Sequence, residues 1–212
     1  TRLNDFRGLN EQSPYWIQAE QMQTSYTPVD VQAGVQGAPM PGLGFRLFGG
    51  YRVVKDEIFR VPGMLEEPYP YVYTFLAQDK AKVGYGGAWL AYQYKDWLDI
   101  SAQGTYYGWD VKEDREVLLY LKPKFAFDAS VRAKLYKDLW IKAHYRFEQR
   151  ADMKEMETAD DVNSLSLGVG YAFFSRLNVF VSLNNLLNRT YLAETGYPVQ
   201  GFYATAGLSV RF

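Results

Sequence analysis

Apolar and polar side chains alternate over much of this chain, and the alternation is clearest at its C-terminal end. Across Phe202–Phe212 one face carries Phe202, Ala204, Ala206, Leu208, Val210 and Phe212, and the other carries Tyr203, Thr205, Gly207, Ser209 and Arg211. A period of two is the signature of a β-strand with different surroundings on its two faces. Leu177–Leu183, Ser164–Phe174, Leu139–Arg150 and Phe125–Tyr136 repeat the pattern. In the last of these, Phe125, Phe127, Ala129, Val131, Ala133 and Leu135 alternate with Asp128, Ser130, Arg132 and Lys134. Upstream, Trp97–Trp109, Val83–Tyr94, Tyr69–Gln78, Gly44–Phe59 and the shorter Val29–Gln36 complete nine or ten predicted strands. Between Tyr69 and Tyr94 the pattern also fits one very long strand. No stretch has a helical period. The predicted class is all-β and antiparallel.

The connections alternate in length. Lys95-Asp96, Lys137-Asp138 and Ser175-Arg176 are tight turns, and Ala38–Leu43 forms another. Val111–Val117, Ala151–Asp161 and Asn188–Gly201 are long and polar, and a further loop is centred on Pro62-Gly63. Alternation alone does not say which face meets water, because a soluble sandwich alternates too. Strand lengths suited to a tilted bilayer crossing and short turns opposite long loops favour a transmembrane barrel. Aromatics near strand ends agree: Tyr94 and Trp97 at one end, Tyr106 and Trp109 at the other, are candidates for an interfacial girdle.

Composition sharpens this picture. The 212 residues include 18 Tyr, 13 Phe and 5 Trp, together 17% aromatic, and 18 Gly. The longest apolar runs are only a few residues, such as Val179–Val181, so helical spans are excluded. A mean hydropathy of −0.30 is compatible with barrel strands, whose alternating residues average out. With 23 basic and 24 acidic side chains, the chain lacks the basic surplus of a nucleic-acid binder. The absence of Cys excludes a disulfide framework, a thiol nucleophile and a thiolate zinc site. The chain starts at Thr1, without an initiator Met or a leader, as expected for a processed protein or a fragment.

The C-terminal octet Thr205-Ala-Gly-Leu-Ser-Val-Arg-Phe212 resembles the assembly signal of bacterial outer-membrane barrels, with Thr205, Gly207, Val210 and the terminal Phe212 at its key positions. Val210 stands where that signal often has an aromatic. Before it, Val181-Ser-Leu-Asn-Asn-Leu-Leu-Asn-Arg-Thr-Tyr191 and Gly196-Tyr-Pro-Val-Gln-Gly-Phe202 resemble the last two strands of TonB-dependent receptors. Lys122-Pro-Lys-Phe125 also fits that family, and Tyr197–Phe202 with Gly104-Thr-Tyr-Tyr107 is most similar to its Bacteroidetes type. The resemblance implies a Gram-negative outer membrane and a barrel of about 22 strands around an N-terminal plug. The chain would then be the C-terminal part of that barrel, residues 1–212, without a plug. Its partners would be outer-membrane lipid, the barrel-assembly machinery, the rest of the barrel and plug, and TonB. The function implied is uptake of a scarce ligand such as a siderophore, cobalamin or a glycan. A plugless scaffold barrel, a small self-contained barrel and a soluble binding module stand beside this as alternatives.

Candidate chemistry is sparse. Asp128, Arg132, Lys134, Lys142, His144 and Arg146 share polar faces of neighbouring strands. They read foremost as a lumen wall whose charges are solvated or paired, and secondarily as a basic strip for an anionic ligand. His144, the sole histidine, has cationic neighbours that oppose metal binding. Neither a nucleophile–base set nor a carboxylate dyad stands out, so no enzyme, cofactor or resident metal is expected. The acidic stretch Glu155–Asp161 lacks calcium-loop spacing and reads as a solvated loop. Asn184 and Asn185 are expected to turn the chain and to bond its backbone.

Overall fold

The computed structural model describes residues 25–63, 72–112, 118–150, 161–173, 176–194 and 197–210. The strands are β1 (Tyr26–Met40), β2 (Leu43–Gly63), β3 (Val72–Tyr94), β4 (Leu98–Val111), β5 (Pro123–Tyr136) and β6 (Leu139–Arg150). They continue with β7 (Val162–Phe173), β8 (Leu177–Asn184), the short β9 (Leu192–Glu194) and β10 (Tyr197–Pro198), and β11 (Tyr203–Val210). All but β9 and β10, which pair with each other, form one nine-stranded sheet in the order β1-β2-β3-β4-β5-β6-β7-β8-β11. Every adjacent pair is antiparallel.

The ladder settles the open boundaries. Val83–Tyr94 and the described part of Tyr69–Gln78, from Val72 on, merge into β3, because β2 pairs with it from Leu43↔Tyr92 to Gly63↔Val72. Pro62 and Gly63 therefore stand inside β2, opposite Tyr73 and Val72, rather than in a loop; residues 64–71 lie outside the described residues. β1 outruns the predicted Val29–Gln36 at both ends, so its turn to β2 shrinks to Pro41-Gly42. Pro39 is tolerated there because β1 is an edge strand among the described residues. Left-handed backbone at Gly42 (φ 82), Lys95 (φ 51) and Lys137 (φ 31) reverses the chain at three of the tight turns.

Register aligns the alternation of all nine strands into two continuous faces. Leu47, Ala88, Gly104, Phe127, Phe147 and Asn163 form one cross-strand row of the outer face. Val131, Ala143, Leu167, Leu183 and Ala204 form another. No second layer covers this face among the described residues: Val181 is 43% exposed and Leu208 69%. A soluble sandwich would bury these side chains against a second sheet, which the described residues do not supply. An apolar face left uncovered in this way is what a transmembrane barrel presents outward.

The buried cluster lies instead at the long-loop end. Phe59, Val61, Ala81, Val111, Leu118 and Leu119 pack together, with Leu76 and Trp109 against them. Asp56, at φ 52, interrupts β2 just before this cluster. The open edges of β1 and β11 run in the same direction, since nine antiparallel strands put first and last parallel. These strands alone cannot close into a barrel by antiparallel pairing; closure needs an odd number of further strands.

Candidate functional site: the inner wall and its outer rim

The second face is polar and carries the residues of interest. Asp128, Ser130, Arg132 and Lys134 of β5 stand opposite Arg146, His144, Lys142 and Trp140 of β6, so the six predicted wall residues lie on one surface. His144 Nε2 is 3.3 Å from Asp128 Oδ1. Ser101 and Ser130 share a hydrogen bond at 2.8 Å. Arg132, Lys134 and Lys142 form no ion pair among the described residues, although Asp99 stands opposite Arg132 in register. The Lys142 ammonium sits 4.9 Å from the Trp140 ring centroid. Trp89, Ser101, Ser130, Arg132, Lys142 and His144 line a groove of about 580 Å³ that runs across β2 to β6.

Toward the long-loop rim the wall becomes tightly bonded. Glu148, buried, accepts from Arg146 Nε at 3.0 Å and from Arg150 Nη2 at 2.9 Å. The Arg150 side chain, 6% exposed, also donates through Nη1 to the Leu192 carbonyl at 2.5 Å. Its backbone N–H donates to Asp161 Oδ1 at 2.9 Å, and its guanidinium lies 5.9 Å from the Tyr191 ring. One arginine thus ties the end of β6 to the loops before β7 and after β8. Two guanidiniums share the Glu148 carboxylate, and the Asp161 carboxylate beside Arg150 brings the formal charge of the four groups to zero.

The Asn-rich segment does its work at Asn185 and Asn188. Asn185, 5% exposed with φ 49, donates to the carbonyls of Arg189 (2.8 Å) and Gln200 (3.0 Å) and accepts from the Arg189 N–H (3.2 Å). Asn188, at φ 48, accepts from the Phe202 N–H at 2.9 Å. Asparagine tolerates this left-handed backbone while its amide replaces missing backbone partners. Asn184, expected to share the role, remains in the ladder opposite Tyr203.

The other predicted residues fall as follows. Tyr94 is on the apolar face and meets Trp97, in the adjacent turn, edge-on at 5.7 Å. Tyr106 is also outward. Trp109 is not: three residues on, it takes the opposite face, packs on the buried cluster and donates to the Pro123 carbonyl at 3.3 Å. Its grouping with Tyr106 as a girdle is thereby corrected by the odd spacing. Thr205 and Gly207 are on the inner face and Val210 is outward, opposite Leu177; Phe212 lies outside the described residues. So does most of the acidic stretch Glu155–Asp161. Among the described residues no group of three or more His, Asp or Glu could hold a metal ion.

The sequence reading passed over the pairing of glycines with aromatics. Gly50–Tyr85, Gly87–Phe48, Gly170–Trp140 and Gly207–Phe180 are direct cross-strand partners, and in each a Cβ on the glycine would come within 3.0 Å of the ring. The rings cover the glycines on the inner face. The signal was available as glycine opposite aromatic, and became visible only once register was known.

No protein-family model matches the sequence, and no curated protein matches it. Solved structures do match the fold. The copper transporter OprC superposes with a TM-score of 0.65 at 15% identity, over 91% of this chain and 32% of that one. The siderophore receptor PirA from Acinetobacter baumannii gives 0.64 at 15%, over 86% and 31%. The ferric-catecholate import receptor Fiu from K12 E. coli gives 0.62 at 14%, over 86% and 27%. This chain therefore spans about a third of their length. Its fold is that of the barrel portion of TonB-dependent receptors.

Proposed function

We propose that this chain is the C-terminal part of the barrel of a TonB-dependent receptor in a Gram-negative outer membrane, residues 1–212, and that the whole protein imports a scarce ligand. One observation carries the proposal: an apolar face continuous over nine strands, backed by a polar face, in the arrangement shared with those receptors. The outward face supplies the lipid boundary, and short turns mark the periplasmic rim. The inner face lines the lumen, meeting water and a plug in the same or another chain. The bonded rim around Arg150 and Asn185 holds extracellular loops in place for ligand entry. TonB would supply energy through the plug, and the barrel-assembly machinery would read the terminal strand. The matched structures include receptors for siderophores and a copper transporter, so a metal chelate is the leading ligand class. In this reading the chain positions and conducts, with no covalent step.

The test is fractionation followed by the mass of the intact protein. Extraction only with detergent and a mass about three times 24.4 kDa are expected, given the 32% coverage of OprC. A soluble protein overturns the barrel. A detergent-dependent protein close to 24.4 kDa replaces the receptor with a scaffold or small self-contained barrel.

A further inference from the structure

Charge on the lipid-facing surface begins abruptly. From the short turns up to Tyr51 and Tyr106, the outward positions of β1 to β4 are apolar or Gly. The next row is Val53, Lys82 and Asp110, and there Lys82 is matched by Asp110 at 2.7 Å. The row above it is Tyr26, Lys55 and Lys80. Lys55 and Lys80 face each other directly across the β2–β3 ladder, and neither forms an ion pair among the described residues. Like charges directly opposite in a sheet repel, with Cβ atoms only about 5 Å apart. Beyond them Asp56 takes a left-handed φ of 52, and Glu57 lines a cavity at the end of the sheet with Tyr26, Lys82, Ala81, Val83 and Trp109. Asp110, the carboxylate of the neighbouring row, is already taken by Lys82.

Height identifies the missing counter-ion. Lys55 is four residues beyond Tyr51, which at about 3.4 Å per residue and a tilt of about 40° is roughly 10 Å along the membrane normal. Tyr51 belongs at the interface, and lysine side chains reach back toward it, so the two ammonium groups sit at headgroup level. The Lys55 ammonium is already 6.0 Å from the Tyr26 ring centroid, which fixes its position over an aromatic face.

We propose that Lys55 and Lys80, beside Tyr26, bind a phosphate group of a membrane lipid headgroup in the leaflet on the long-loop side. The phosphate supplies the negative charge that the row lacks and turns a repulsive pair into a bridged one. The proposal rests on the membrane placement given above.

The test is lipid retention by the full-length protein purified in detergent, read by native mass spectrometry. Phosphate-bearing lipid should stay bound to the wild type. Retention should fall about thirtyfold in the K55Q/K80Q double variant, at the strength expected of two basic residues near an anionic surface. K55R/K80R should keep the lipid, and K95Q, on the opposite rim, should leave it unchanged. Equal retention by wild type and K55Q/K80Q overturns the site. Loss in K55R/K80R as severe as in K55Q/K80Q also overturns it, since packing rather than charge would then hold the lipid. Heat-modifiable mobility on the same samples separates the two readings. A wild type that is soluble without detergent overturns the barrel and this site together, whereas a membrane barrel with no lysine-dependent lipid overturns the site alone.

Discussion

Replacing Val181 with Arg should destabilise the protein by about 2–4 kcal/mol in phospholipid vesicles, while Ser182→Arg next to it should cost less than about 1 kcal/mol. Val181 sits on the outward face between Val169 and Ala206, and Ser182 points to the other side between Gly168 and Thr205. Val181 is four residues from Leu177, where β8 begins. At about 3.4 Å per residue and a tilt of about 40°, that is roughly 10 Å from the rim, close to the middle of an apolar band about 25 Å tall. An arginine there leaves water for hydrocarbon and recovers part of the cost by bending toward the interface. If the same face met water, a substitution at a 43%-exposed valine would change stability by no more than about 0.5 kcal/mol. The two expectations differ by a factor of at least about 10 in the unfolding constant. Equilibrium unfolding in denaturant, followed by tryptophan fluorescence in vesicles, measures both variants. A Val181→Arg cost below about 0.5 kcal/mol, or a Ser182→Arg cost equal to it, would refute the assignment of faces.

Gly170→Ala should destabilise by about 1–3 kcal/mol and shift the Trp140 emission, because the added Cβ would overlap the ring and the indole must leave its glycine. Arg150→Ala should cost about 3 kcal/mol, because it leaves buried Glu148 with Arg146 alone and the Leu192 carbonyl without its donor. Limited proteolysis should then cut first within the loops that Arg150 joins. Asn185→Ala should cost about 2 kcal/mol through its lost hydrogen bonds and its left-handed φ, and an unfolding midpoint equal to wild type would count against the pinned loop.

What the chain discloses follows from how far each signal reaches. Period-two alternation is local, so the face of Leu177, Val179 and Val181 could be assigned from their own neighbours, and register confirms it. Strand ends depend on the partner. Lys80 and Lys82 look like a polar interruption, yet β3 runs straight through them because β2 continues opposite. Aromatic clustering at strand ends says nothing about face: Trp109 and Tyr106 are close in sequence, yet parity puts them on opposite sides of β4. The wall residues were legible as a set, since Asp128–Lys134 and Lys142–Arg146 are each in phase within one strand. Their pairing was not: Arg150 finds Leu192 across 42 positions, and no local pattern encodes that contact.

The two faces constrain the chain unequally. If the outer face meets lipid as proposed, any apolar side chain satisfies it, so Val, Leu, Ala, Phe and Gly interchange along it without a specific partner. On the inner face each charge needs a partner or water, and the partners differ from rung to rung: Asp30 for Arg52, Asp128 for His144, Glu148 for both Arg146 and Arg150. A sheet under the first constraint alone keeps its shape while its sequence drifts, which accounts for TM-scores above 0.6 at identities near 15%. Under the proposed function, ligand preference would belong to the second constraint. Arg132 and Lys142, which form no ion pair among the described residues and lie beside Trp89 and Trp140, would then be where this barrel differs most from those it superposes on.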